Sequence, residues 1–225
     1  MKHRNSLSVL FGLAVLIFAS ACVSEGHRTI ETDKVESYRT NYSGPVHAIS
    51  IGKFNNASPY MRGLFSEGPD RLGGQAKTIL ETHLAQTGRF SVLNRTNMSE
   101  LAEESQLSGT AHSVTGAEVV ITGEVTEFGR KTVGDRQLFG IFGRGKTQVA
   151  YAVVSLNVVE VSSSRIVYSA KGAGEYSLSD REILGTGGTS GYDSTLNGKV
   201  LDLSIREAVN NLVRGLEESR WTIGK

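Results

Sequence analysis

The sequence predicts an α/β fold, a single domain whose mixed β-sheet is flanked by helices and extended by one or two long β-hairpins. Three observations predict it. Apolar residues alternate with period two over several Val- and Ile-rich stretches, three other stretches repeat them at helical spacing, and the two kinds follow one another as β-α-β-α-β-β-β-α. The 26 glycines gather between the alternating stretches and there are only 3 prolines, which suits hairpins and tight packing better than disorder.

The first 21 residues stand outside that pattern. Lys2 and Arg4 precede an unbroken apolar run, Val9–Ala19, followed by Ser20, Ala21 and the single cysteine, Cys22. That order is the layout of a secretory signal, and the run is shorter than the ~20 apolar residues of a membrane-spanning helix. Ala19-Ser20-Ala21-Cys22 resembles a bacterial lipobox, with Ala19 where Leu is preferred. Residues 1–21 therefore read as a lipoprotein signal peptide and Cys22 as the lipidation site, a use for a thiol that would otherwise be exposed in an oxidising compartment. Loss of 1–21 removes Lys2 and Arg4 and leaves 204 residues of net charge −1, which offers no electrostatic footprint for nucleic acid.

The elements then follow in order. Residues 22–43 are polar with little periodicity and read as a tether of up to ~70 Å. Val46–Phe54 alternates as a strand, and a Gly-, Pro- and Asn-containing loop fills 55–74. Gln75–Gln86 carries Ile79, Leu80, His83 and Leu84 on one side and stops at Gly88. Phe90–Leu93 is a short strand. A second helix carries Met98, Leu101 and Leu107 after Thr96 or Asn97, with Glu100 at capping-box spacing from Asn97. Ala117–Phe128, Thr147–Val161 and Ile166–Ser177 are strands, and Val200–Glu218 is an amphipathic helix turning Leu201, Ile205, Val209, Leu212 and Leu216 inward. Within the long strand the large residues change phase at Val153-Val154, as where a strand passes between environments.

Gly140 to Thr147 fits the pattern G-x-x-x-x-G-K-[ST]. A phosphate-binding loop needs a helix after it, whereas here Thr147 opens a strand, so the segment reads as a glycine-rich hairpin tip. His27, His47, His83 and His112 share no metal-ligand spacing, and Asp180-Arg181-Glu182 reads as a solvated edge. The residues predict no enzyme, no cofactor and no metal site.

Three stretches in fixed order resemble the CsgG family of outer-membrane lipoproteins. They are Gly116–Val125 (GAEVVITGEV), Phe139-Gly140-Ile141, and Ala152–Val161 (AVVSLNVVEV), within a resemblance covering 44–221. The resemblance implies a periplasm-facing α/β domain, lipid-anchored in the outer membrane, whose hairpins join those of other copies in a shared transmembrane β-barrel. Its implied partners are copies of itself, a secreted polymer subunit and other accessory lipoproteins. The first hairpin, 126–156, has arms of the ~9–11 residues a tilted membrane strand requires. Tyr60, Leu64 and Phe65 fall where the family narrows its pore, with Leu64 in place of Asn. The second hairpin, 172–192, is shorter than the family's, and either phase of its alternation puts charge or glycine on a lipid face. Two readings follow: an oligomeric component for secretion or assembly of a surface polymer such as curli-like fibres, or a non-pore periplasmic lipoprotein that binds a partner in envelope or surface-structure assembly.

Overall fold

Alternation and helical spacing place eight elements along the chain. In the computed structural model, which describes residues 31–60, 70–136, 144–182 and 195–223, they are β1 (His47–Asn56), α1 (Arg71–Gln86), β2 (Phe90–Leu93), α2 (Met98–Ser108), β3 (Val119–Arg136), β4 (Arg144–Glu160), β5 (Ile166–Glu182) and α3 (Thr195–Glu217). Their order is the one the sequence predicts. The sheet runs β2-β1-β3-β4-β5. β1 is parallel to both β2 and β3, and the remaining pairs are antiparallel, so the sheet is mixed.

One face of the sheet holds the core. Ile49 and Ile51 of β1, Val119, Ile121 and Val125 of β3, and Val154, Leu156 and Val158 of β4 meet the buried faces of α1 (Leu72, Ala76, Leu80, Leu84) and α3 (Leu196, Leu201, Ile205, Leu212). Each such side chain contributes ~1.5–3 kcal/mol by leaving water. The residues of α3 recur at three- and four-residue steps, which is why one helix can cover β4 and β5 along its whole length.

α1 starts four residues before the predicted Gln75 because Asp70 caps it. The Asp70 carboxylate accepts from Gly73 N at 2.8 Å and from Asn56 N at 2.6 Å. Gly73 looks like a helix breaker in sequence, but a Cβ there would stand 2.3 Å from that carboxylate and 2.9 Å from the Phe54 carbonyl. α2 lies where predicted without its predicted cap. Asn97 makes no side-chain capping bond, and the Asn94 amide oxygen accepts instead from Thr96 N and Asn97 N. No residue of α2 is buried.

The sequence places the phase change in β4; the structure places it in β3. Val125 pairs with Val154 and Glu127 with Val153, so Thr126 is the extra residue of a bulge, and its hydroxyl bonds to the Val153 carbonyl at 3.2 Å. The buried series in β3 accordingly shifts from Val119, Ile121, Gly123 and Val125 to Phe128. β4 keeps one buried phase from Ala150 to Val158. Its large residues nearer the tip, such as Tyr151, lie on the opposite face, where Tyr151 covers Gly129.

β1 stops pairing with β3 at Val125, while β3, β4 and β5 run on together to the Arg136–Arg144 and Arg144–Glu182 pairs. A three-stranded extension therefore leaves the domain. Arg144–Thr147 belong to β4 and are flanked by strands, so no helix follows the glycines of the P-loop-like pattern, of which 140–143 lie outside the described residues.

Residues from Lys34 onward belong to one compact unit. The segment expected to be tether as far as Ser43 instead packs on the domain from Val35. Val35 and Ser37 are buried, and Glu36 N donates to the Asn210 side chain at 3.0 Å. Two or three inward residues are too few to show a period, which is why the sequence reads as polar linker there.

Candidate functional site

The end of β1 gathers the groups that root the extension. Ala57 N and Ser58 N both donate to the Val125 carbonyl, at 2.9 and 3.0 Å, satisfying an oxygen beside the bulge. The Asn56 side chain accepts from Ser58 and donates to the Tyr60 carbonyl at 2.9 Å. The Tyr60 ring packs 4.6 Å from that of Phe128, just past the bulge, and its hydroxyl accepts from Asn197 Nδ2 of α3 at 3.1 Å. Higher in the extension Arg130 donates to Gln148 at 3.2 Å, and Lys199 sits 5.0 Å over the Tyr176 ring.

Of the residues implied for a constriction, Tyr60 is thus fixed to the domain. Leu64 and Phe65 lie outside the described residues, as does Cys22. The segment that carries Leu64 and Phe65 is bounded on one side by Tyr60 and on the other by Asp70, and both are tied to Asn56. The sequence reading missed Phe128, Asn197, Asn56 and Asp70 as parts of this root. Only Asp70 left a signal, an acidic residue one turn ahead of a helical repeat.

A second polar cluster lies at the opposite end of the sheet, where β1, β2 and β3 begin. Arg89 is buried, yet its three side-chain nitrogens make six hydrogen bonds. Nε and Nη2 donate to Glu217 at 2.9 and 2.6 Å, Nη1 to the Thr87 carbonyl at 2.7 Å, and Nη2 to the Thr40 hydroxyl at 2.7 Å. Longer bonds reach the Ser37 and Thr40 carbonyls, and the Tyr42 ring lies 4.7 Å away. Arginine suits this post because its flat fork addresses several acceptors at once. The strap of residues 35–44 and the end of α3 line an open pocket of about 510 Å³, with the Arg214–Glu36 pair, 3.2 Å apart, in its wall.

Nearby, His47 Nδ1 lies 2.8 Å from Glu118 Oε2, and Ala48 N donates to Glu118 Oε1 at 3.0 Å. The His47 hydrogen bond first, and the backbone donor second, hold the Glu118 carboxyl below its ordinary pKa. Among the described residues no group of three His, Cys, Asp or Glu could hold a metal ion, and no helix is long and apolar enough to cross a membrane.

The residue pattern of the family described as "Curli production assembly/transport component CsgG" matches residues 43–224. A Neisseria meningitidis serogroup B protein, named "Putative lipoprotein NMB1126/NMB1164", is 59% identical over 221 residues, which span 98% of this chain and 98% of that one. Among solved structures, the PelC dodecamer from Paraburkholderia phytofirmans is similar at 15% identity, with 76% of this chain and 94% of that one covered and a TM-score of 0.35. Lipoprotein GNA1162 from Neisseria meningitidis is similar at 16% identity, with 78% and 100% covered and a TM-score of 0.30.

Proposed function

The chain belongs to the CsgG family, and from that premise we propose that it is an outer-membrane lipoprotein, lipidated at Cys22 and facing the periplasm, whose copies form an oligomer serving secretion or assembly of a surface polymer such as curli-like fibres. The observation that carries this reading is the three-stranded extension that runs past the end of β1, in a chain whose family pattern spans 43–224. Strands that run on past the end of β1 offer edges that another sheet or a membrane barrel can complete. The 59% identical relative named as a lipoprotein supports the anchor. In this reading Tyr60, Leu64 and Phe65 contribute to a constriction in the shared passage. What supports it is Tyr60, which is fixed to the domain by Phe128 and Asn197.

The partners in this reading are the outer membrane through the lipid, further copies of the chain, and a secreted polymer subunit or accessory lipoproteins. The chain works by holding and guiding rather than by catalysis. Negative-stain images of the full-length protein in mild detergent, with conductance in planar bilayers, test the proposal. Rings that conduct support it, and a monomer without conductance overturns the channel.

One observation favours the non-pore reading. At the far end of β4 and β5 the register pairs Lys146 with Asp180, Gly145 with Arg181, and Arg144 with Glu182, so both phases of the alternation carry charged residue types, which lipid disfavours. In that reading the extension binds a protein partner in the periplasm, and the Cys22→Ser protein is a soluble monomer.

A further inference from the structure

α2 is a helix that the rest of its own chain does little to hold. It has 11 residues, no side-chain N-cap bond and no buried residue. Helices this short are marginal in water unless packing supports them. Its outward face carries Glu100, Glu103, Glu104 and Leu107 at positions i, i+3, i+4 and i+7, and all four are exposed, Leu107 at 76%. Three carboxylates around one leucine repel each other on an isolated helix, so the face is suited to a surface that brings cations to an apolar spot.

The same chain carries such a surface on its other flank. α2 follows β2, one edge of the sheet, and β5 is the other edge. At the β4–β5 corner Val161 and Ile166 are 50% and 60% exposed beside exposed Arg165. Ile166 pairs with Val159 and Lys171 with Ser155, which puts both on the sheet face turned away from α1 and α3. α2 belongs to that side as well. The crossovers β1-α1-β2 and β2-α2-β3 step in opposite directions across β1, so right-handed connections place α1 and α2 on opposite faces.

We propose that the acid-ringed Leu107 face of α2 docks on the Arg165, Ile166 and Lys171 corner of a second copy of this chain. The inference rests on the oligomer proposed above and names its contact. Acid meets base and leucine meets isoleucine. Because the two patches sit on opposite edges of one subunit, the contact is head-to-tail and repeats from copy to copy. Such a pairing also supplies the cover that α2 lacks in its own chain.

The test uses the full-length protein in mild detergent, sized by mass photometry across a dilution series. The variants are Glu103→Lys with Glu104→Lys, Arg165→Glu with Lys171→Glu, and all four together. Every position is exposed, and unchanged melting temperatures serve as the folding control. Each charge-reversed pair should weaken association about tenfold or more, the four-fold swap should restore at least part of it, and added salt should weaken the wild type. Leu107→Asp should weaken it without any dependence on the swap. A wild-type oligomer untouched by either reversal overturns this contact and leaves the oligomer standing. A wild type monomeric at every concentration overturns the oligomer, and the contact with it.

Discussion

The Tyr60 ring lies against the Phe128 ring at 4.6 Å and a tilt of 47°, joining the last residue described before the 61–69 segment to the first buried residue past the β3 bulge. The pair couples the loop to the extension. Bulge, ring contact and the Asn197 hydrogen bond all involve residues next to the last β1–β3 pair, Asn56 with Val125, or bonded to them.

Tyr60→Phe should cost about 1 kcal/mol by losing the Asn197 bond, and Phe128→Ala about 3–5 kcal/mol by emptying a core position. A double-mutant cycle of Tyr60→Ala and Phe128→Ala on the soluble Cys22→Ser form should show ~0.5–1.5 kcal/mol of coupling. Additive melts would mean that the rings do not support each other.

Gly172 and α3 are in backbone contact. A Cβ at that position would stand 2.1 Å from the Ser204 carbonyl and 2.2 Å from the Ala208 nitrogen, and neither can swing aside. Gly172→Ala should therefore destabilise by ~1–3 kcal/mol or shift α3 off β5. Gly174→Ala meets mainly the Leu203 side chain, at 3.0 Å and beyond, and should be milder. Chemical denaturation of the two variants gives the ranking, and equal losses would contradict the close approach.

Much of this was legible in the sequence because it follows from repetition. Ile49 and Ile51, Val154 to Val158 of β4, and Leu201 to Leu212 in α3 carry their periods openly, so element order and the core side of these elements could be read, whereas the apolar repeat of α2 faces no core. What escaped depended on single contacts. Gly73 sits in the first turn of α1 with Asp70 and the Phe54 carbonyl close over it, and Val35 reaches the core in a strap held by Arg89 and Asn210. The large residues of β4 do change phase at Val153-Val154, but Ala150 and Ala152 carry the buried phase on toward the tip, and small residues do not announce a core side.

Arg89→Lys should loosen the strap nearly as much as Arg89→Met, since one ammonium cannot replace a fork with six bonds. The loss comes mainly from the buried Thr87 carbonyl left without a donor, about 1–3 kcal/mol, because the Ser37 carbonyl keeps its bonds from Thr40 and Glu217 is 42% exposed and regains water. Limited proteolysis should cut within 35–44 in both variants before the domain unfolds. A lysine variant as resistant as the wild type would show that charge alone holds the strap.

Glu118 has a folded-state pKa below its ordinary value, so its contribution to stability is present above the usual carboxylate range and fades as pH falls through the folded value. Glu118→Gln should therefore melt below the wild type at pH 7 and approach it in acid, below the unfolded carboxylate value of about 4.3. With 45% of that side chain exposed, the difference should be small. A gap that stayed constant from pH 7 to pH 3 would mean that the carboxylate charge is not what matters.

If Cys22 is lipidated as proposed, the strap sets how far the domain can stand from the membrane. With the chain held from Val35 rather than from Ser43, 12 residues remain between it and the cysteine, a reach of ~40 Å instead of ~70 Å. Cys22→Ser should move the protein from the membrane to the soluble fraction and remove the acyl mass. Val23→Asp should shift it toward the inner membrane if sorting reads the residue after the cysteine. Arg89→Met, which frees the strap, should leave the protein membrane-bound yet make residues 35–44 more accessible to added protease, because anchor and strap are separate attachments. A Cys22→Ser protein that stays with the outer membrane through washing would place its attachment in the strand extension instead of the lipid.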